Sequence, residues 1–391
     1  MSSTAAIALH GILGGLTAVS CGLQFWQWRL GRRFPVNKRR PVAHPLPSVS
    51  VLKPLRGADD ETERCLASWF QQDYAAPFQI LFAVESTADP VCEIVERLRK
   101  RFPKVEAELL VCADPAGANG KVAKLVVLER AAKHGVLVAS DADVEAPTDL
   151  LTQLATHLTD DGVGLVNCFY RLANAETPAM RWEAVAINAD FWSQVLQSRA
   201  LRPMDFALGA VTALRRTDLA AIGGYSALGD QLADDFQLGR RIAATGRRIA
   251  LCPVVVSCRE RRQDWREVWT HQLRWARTIR FCQPLPYFFS ILGNVTLWAL
   301  LWGLATLPFG WGFAHGAALL AVAGRIASAV TLHRRISPDT ASWRDDWLMV
   351  VKDLAGAVLW AASFLGNTVH WRGTAYRVGP GGRLTRDEER P

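Results

Sequence analysis

Val136-Leu137-Val138-Ala139-Ser140-Asp141-Ala142-Asp143 is the stretch on which the architecture turns. Four apolar residues in a row, too few for a helix and lying between two helical periods, read as a strand. Working outward, further strands are expected at 49–52, 79–84, 109–112 and 163–169, and helices at 61–72, 90–102, 122–132 and 148–158. The helix over 61–72 gathers Leu66, Trp69 and Phe70 on one side, and the helix over 90–102 gathers Ile94, Val95 and Leu98. Strand–helix alternation at this spacing predicts an α/β domain with a mainly parallel sheet covered on both faces. Such sheets bind ligands at the carboxyl ends of their strands. Asp141 and Asp143 follow a strand directly and so fall on that edge. Paired carboxylates there suit Mg²⁺ or Mn²⁺, hard cations that take oxygen ligands and share them with phosphates. The competing assignment is capping of the turn into the helix from Thr148, for which Glu145 and Asp149 already supply acidity. No Gly-x-Gly-x-x-Gly and no Gly-x-x-x-x-Gly-Lys-Ser/Thr occurs, which excludes the usual dinucleotide and P-loop signatures.

The two ends of the chain carry a different message. Of 391 residues 50% are hydrophobic, and the formal charge is +8. A basic balance fits either nucleic acid or an anionic membrane face, and the positions of the charges decide. Arg29, Arg32, Arg33, Lys38, Arg39 and Arg40 follow an uncharged stretch over 5–28 that includes His10, Gln24 and Gln27. A bilayer span needs roughly 20 residues, and a cleaved signal peptide would carry its positive charge before the apolar core. The stretch therefore reads as a span whose basic flank places the next domain in the cytoplasm, and no nucleic-acid partner is expected. Further spans are expected over 284–307 and 309–332, joined by Pro308-Phe309-Gly310-Trp311-Gly312, with His333, Arg334 and Arg335 marking the return. Residues 347–369 make either a fourth span or an interfacial or re-entrant helix, since Lys352 and Asp353 lie inside them. Each such charge costs roughly 2.5–3.5 kcal/mol on insertion scales. Four full spans would leave the basic segment 372–386 outside, against its charge. Eight scattered cysteines without Cys-x-x-Cys read as reduced thiols. The expected organisation is an anchor over 1–30, a cytoplasmic catalytic domain over 47–260, an interfacial helix over 261–283, membrane or re-entrant helices over 284–371 and a basic tail over 372–391.

Two later motifs complete the set: Ala233-Asp234-Asp235-Phe236 and His271-Gln272-Leu273-Arg274-Trp275. Residues 264–282, rich in Trp and Arg, read as a helix lying in the membrane interface. Residues 180–201 read either as a second one or as an ordinary core helix. Taken together, from Val51-Leu52-Lys53-Pro54-Leu55-Arg56-Gly57 to Trp371-Arg372-Gly373, the chain resembles glycosyltransferase family 21. That family comprises the ceramide glucosyltransferases and related bacterial hopanoid glycosyltransferases. Asp89 in Ala88-Asp89-Pro90 matches the family's first aspartate, Asp141 the second and Asp235 the third. His271 stands where Gln or Arg is usual, a departure that looks more like the hopanoid branch, whereas 52–57 are closer to the ceramide branch. Gly117-Ala118-Asn119-Gly120-Lys121 is similar to the family's Gly-x-Asn-x-Lys, with Lys124 in place of a second Asn.

The resemblance implies a GT-A (Rossmann-like) catalytic domain with N- and C-terminal transmembrane helices, a UDP-sugar donor, a divalent metal and inversion at the anomeric carbon. A departing UDP gains negative charge, so positive charge must face its phosphates. A metal held by Asp143 with Asp141 nearby would supply it, and Lys121, Arg274 and Arg277 are natural diphosphate partners. Asp235 is the candidate base that takes the acceptor's proton, with Asp234 and a desolvated setting tending to raise its pKa. The pair would equally serve as an N-cap to a helix from Phe236. Asp89 is assigned to the nucleotide, the alternative being that it only starts a helix. His271 and Trp275 are assigned to the acceptor or sugar, the alternatives being a structural histidine and an interface anchor. The expected activity is a membrane-bound hexosyltransferase moving glucose from UDP-glucose to ceramide, on a multi-pass protein of the inner cell membrane. A hopanoid N-acetylglucosaminyltransferase is the alternative within the family. A processive polysaccharide synthase is the other, although the few spans would not build its channel.

Overall fold

Residues 136–140 form a fully buried strand inside an eight-stranded sheet in the computed structural model, which describes residues 3–113, 117–371 and 374–386. The strands are β1 (Val49–Pro54), β2 (Phe78–Val84), β3 (Glu106–Val111), β4 (Val136–Ser140), β5 (Val144–Glu145), β6 (Val163–Leu172), β7 (Val211–Arg215) and β8 (Arg248–Cys258). Their order is β3-β2-β1-β4-β7-β6-β8-β5. The first four are parallel, as strand–helix alternation predicts. β7 then runs antiparallel to both β4 and β6, and β5 antiparallel to β8. β6 and β8 are parallel to one another and run with the first four, so the sheet is mainly parallel as expected, with β5 and β7 alone reversed among the described strands. Pro253 lies within β8, where the pairing with β6 gains two residues between Cys252 and Val256. A bulge is one of the few places a sheet tolerates proline.

This sheet belongs to one of two units, made of Pro35–Asn174, Arg202–Arg261 and the segment from Thr374. The antiparallel turn from β4 to β7 shapes the edge that matters. Ser140 pairs with Val211, and the Asp141 amide donates to the Ala210 carbonyl at 3.1 Å. Residues 374–386 of the expected basic tail make a hairpin here, Thr374–Val378 against Leu384–Arg386. Its Gly382 carbonyl accepts from Leu232, and its Leu384 amide donates to Asp230. Arg372, Gly373 and residues 387–391 lie outside the described residues.

The second unit comprises Met1–Phe34, Ala175–Leu201 and Arg262–Gly373. Two of its helices, Thr4–Arg33 and Gly312–Ile336, are long and apolar enough to cross a bilayer. The span expected at 284–307 is broken: Pro284–Gly293 and Val295–Phe309 meet at 52°. Asn294 causes the break, capping the second piece through the Leu297 amide while its own amide donates to Asp353. Residues 347–369, open between a fourth span and an interfacial or re-entrant helix, contain the 16-residue helix Leu348–Ser363, about 24 Å long against a hydrocarbon core of roughly 30 Å. Polar residues of the first helix turn inward: Trp302 donates to His10 at 3.0 Å, Gln24 donates to Ser328 and Gln27 to Ser193. Residues 178–201 are core rather than interface, with Trp182, Trp192 and Glu183 buried around a π-helical turn at Ala186–Phe191.

Candidate active site

Four of the residues singled out by sequence line one cleft at the carboxyl edge of β4: Lys121, Asp141, Asp234 and Asp235. Lys121 opens the helix Gly120–Ala131, whose start Asn119 fixes by accepting from the amides of Lys121 and Val122. Asn119 is fixed in turn, its side chain donating to the Gln231 carbonyl at 2.8 Å and its amide to Gly229. Gly117 has φ +84°, and a Cβ there would lie 2.7 Å from the Gly229 oxygen, so this approach requires glycine. The Lys121 ammonium reaches Asp141 at 2.7 Å and Asp234 at 3.4 Å. Burial pulls its pKa down, but Asp141, Asp234 and Asp235 outweigh that and keep it protonated well above the ordinary lysine range.

Asp234 and Asp235 are not the cap of their helix but its first turn. The helix runs Asp234–Ala244, and the cap residue is Ala233, which makes no side-chain cap bond. Both carboxylates thus stand at the positive end of the helix dipole. Asp235 accepts from the Phe236 amide at 2.8 Å, and Gly209 leaves room beside it, since a Cβ there would sit 2.8 Å from Asp235 Oδ2. Burial, then the Asp234 charge, push the Asp235 carboxyl up to about 7, against the pull of Lys121. A carboxylate that titrates near neutrality is suited to taking a proton from an alcohol.

Asp143 is raised to about 6, first by burial and then by Asp141. Asp141 and Asp143 stand with one residue between them, and burial drives Asp143 towards its neutral form although Lys53 and Lys121 oppose the shift. The oxygens of the two carboxylates fit a hard divalent cation. Beneath them lies Lys53, fully buried, donating to Ser140 Oγ at 3.2 Å and to the Asp141 carbonyl, and stacked over Trp69. Burial lowers its pKa to about 8. No role is assigned to Lys53 by sequence reasoning, although a lysine inside a buried strand is itself a signal. Lys124 is also buried and meets Glu85 at 2.7 Å. Asp89 does not line the cleft: its carboxylate accepts from the amides of Gly57 and Val91, tying the loop after β1 to a helix start.

His271, Arg274 and Trp275 lie in the other unit, on the helix Trp265–Cys282, which begins with a capping box between Asp264 and Glu267. His271 Nδ1 lies 2.8 Å from Glu183 Oε1, and Gln272 donates to the same oxygen at 2.7 Å. His271 also meets Trp275 edge-on at 5.0 Å, and Trp275 lies 5.9 Å from Phe191. Glu183 is fully buried and carries no role from sequence reasoning, its signal being an acid between Trp182 and Ala184 in a helix that is otherwise apolar apart from Arg181. Arg277 donates to the Thr368 carbonyl. Glu183→Ala leaves the facing donors unmatched and is expected to cost about 1–3 kcal/mol. Glu183→Gln keeps an acceptor oxygen, so its thermal unfolding temperature should fall less; equal losses would contradict the hydrogen-bonding role.

Residues 12–384 match glycosyl transferase family 21. A stretch of 209 residues is 27% identical to ceramide glucosyltransferase 3 of Caenorhabditis elegans, covering 53% of this chain and 45% of that protein. A stretch of 117 residues is 35% identical to the ceramide glucosyltransferase of Komagataella phaffii, covering 29% of this chain and 23% of that protein. The chain thus spans less than half the length of these curated relatives. Among solved structures, the mannosyltransferase PcManGT from Pyrobaculum calidifontis, in complex with GDP-Man and Mn²⁺, aligns with a TM-score of 0.55 at 23% identity. That alignment covers 91% of this chain and 99% of that one, and it shows that the fold is GT-A-like.

Proposed function

This chain belongs to glycosyl transferase family 21, and we propose that it transfers a hexosyl unit from a UDP-sugar to the hydroxyl of a membrane lipid with inversion, ceramide being the favoured acceptor and glucose the favoured sugar. The observation that carries the reading is Asp235, enclosed with Asp234, Lys121 and Asp141 and held near pKa 7. Asp235 takes the proton of the acceptor hydroxyl as its oxygen bonds to the anomeric carbon from the face opposite UDP. The bond to the UDP oxygen breaks on the other side, and UDP departs with that electron pair. Lys121, kept charged by its acidic neighbours, faces the diphosphate as negative charge develops. Asp141 and Asp143 are the residues that would hold a divalent cation, whose chemistry is Lewis-acid stabilisation of the leaving diphosphate. Arg274 at the diphosphate, Asp89 at the nucleotide and His271 with Trp275 at the sugar or acceptor are assigned from the family resemblance of their motifs and not from a place in this cleft.

The sheet-bearing unit is assigned to the cytoplasmic face of the cell membrane, from the arginines that end the helix Ser3–Arg33. The tail is assigned to the same face, a reading supported by its basic charge and by hydrogen bonds between the hairpin 374–386 and residues 230–232 of this unit. The test is transfer from labelled UDP-glucose or UDP-N-acetylglucosamine to ceramide or a hopanoid polyol in lipid nanodiscs. Sugar on ceramide supports the reading, sugar on the polyol alone selects the hopanoid alternative, and polymer made without a lipid acceptor selects a polysaccharide synthase. Absence of UDP release from any pairing rejects transferase activity. Chelation should abolish transfer and Mn²⁺ or Mg²⁺ restore it; full activity in excess chelator removes the metal assignment to Asp141 and Asp143.

A further inference from the structure

A groove of about 350 Å³ lies within the helical unit, where the helices Pro178–Val185, Trp265–Cys282 and Leu348–Ser363 begin. Its floor is apolar, made by Pro178, Trp265, Trp347, Leu348 and Val351, and its rim carries Arg181, Arg344 and one acid, Asp345. We infer that this groove binds an anionic phospholipid of the surrounding bilayer, its phosphate on Arg181 and Arg344 and part of an acyl chain along the tryptophan floor.

Three independent features select that occupant. The first is depth. The chain reaches this place just after the basic final turn of the apolar helix Gly312–Ile336, which contains His333, Arg334 and Arg335. Trp265, Trp343 and Trp347 stand 52%, 73% and 63% exposed around it. Tryptophans left this open favour the headgroup level of a membrane, where an amphipathic ring meets both phases.

The second feature is charge. Arg181 meets one carboxylate, Asp345, and only at 3.6 Å. Arg344 lies over the Trp343 ring at 5.7 Å and has no acidic partner among the described residues. Asp346 is paired with Arg334 at 3.0 Å, and Asp264 with Glu267 forms the capping box of the motif helix. Two guanidiniums against one carboxylate leave the rim positive, and the positive ends of the three helix dipoles add to it. Guanidinium is the side chain best shaped to hold phosphate through paired hydrogen bonds.

The third feature is size. The volume lies in the range of small-ligand sites, roughly 300–1,000 Å³, enough for part of one chain. The neutral hydroxyl-bearing acceptor proposed above lacks the phosphate that this rim would recognise, so the groove is a separate site. The inference rests on the apolar helices lying in a bilayer and does not depend on the transfer reaction.

The test is native mass spectrometry of the full chain in a neutral detergent, with phosphatidylglycerol and phosphatidylcholine of matched chains offered at equal concentration. Phosphatidylglycerol should be retained roughly fivefold or more over phosphatidylcholine. Arg181→Gln with Arg344→Gln should reduce the ratio to near one, while Arg101→Glu, an exposed residue of the other unit, leaves it unchanged. Trp347→Ala should weaken retention of both lipids, which separates the floor from the rim. Equal retention by the wild type, or a preference that survives the paired glutamines, overturns the inference. Inorganic phosphate displacing the lipid with equal affinity also overturns it, because the site would then serve a free anion. Thermal melts of each variant show whether a change reflects binding or folding, and the glutamine pair should leave folding intact because Arg181 and Arg344 are both partly solvated.

Discussion

Asp235→Asn is expected to lower kcat by about 10²–10⁴, the usual worth of a positioned general base, with the KM for UDP-sugar little changed. The substitution is isosteric, and an amide oxygen can still accept from the Phe236 amide at the start of Asp234–Ala244. Lost activity with an intact fold is therefore the predicted combination. The pH profile follows from the same group. Asp235 must be deprotonated to act, and burial together with Asp234 holds it near 7, so kcat/KM should rise through neutrality and level off above it. Stability has the opposite sign. A carboxyl raised in the folded state relative to roughly 3.9 in the unfolded chain favours folding at low pH and loses that contribution as pH climbs from about 4 to 7. Asp235→Asn removes this dependence, so the variant should match or exceed the wild-type melting temperature at pH 8 while remaining inactive. Transfer at the wild-type rate, or an acid limb unchanged by altering Asp234, would remove Asp235 as the base.

The two halves of the sheet differ in how openly the sequence displays them. β1 to β4 follow one another with helices between them, so alternating apolar runs and helical periods expose each element in turn. β7 and β8 escape that reading because Val211–Arg215 joins the sheet antiparallel, outside the strand–helix alternation, and Pro253 interrupts Arg248–Cys258. The candidate carboxylates are legible for a local reason: each pair is close in the chain, one just after an apolar strand and the other opening a helix, although either place also suits a structural acid. Their partners are not local. Nothing near Lys53 indicates that its ammonium will lie beneath Asp141, 88 positions later, and nothing near Glu183 indicates the donors at His271 and Gln272. Such pairings arise when crossover connections bring distant segments together, and periodicity carries no record of them. The broken span at Asn294 belongs to the same class. Hydropathy over 284–307 is continuous, whereas the interruption comes from one amide that caps a helix and donates to Asp353.

Arg325→Leu is the substitution expected to damage the helical unit most. Arg325, 3% exposed in the middle of the apolar helix Gly312–Ile336, donates to Asp353 twice at 2.9 Å and to Asp190 at 2.6 Å. Lys352 bonds Asp190 and lies 2.7 Å from Asp353, and Thr296 donates to Asp353 at 2.6 Å. Two cations thus face two carboxylates, which explains how Lys352 and Asp353 are tolerated inside an apolar helix. Each offsets the desolvation of another, and Asp190 brings in the π-helical turn Ala186–Phe191. Removing Arg325 alone leaves a surplus negative charge on the buried carboxylates Asp190 and Asp353, 5% and 4% exposed, for which a loss of roughly 3–5 kcal/mol is expected. Removing a matched pair is a different perturbation. Arg325→Leu with Asp353→Leu keeps Lys352 against Asp190, so the double variant should be more stable than either single one. The thermal unfolding temperatures of the four proteins in one detergent decide the matter. Additive losses would mean that the four charges act independently, whereas recovery in the double variant identifies charge balance as the condition for burying them.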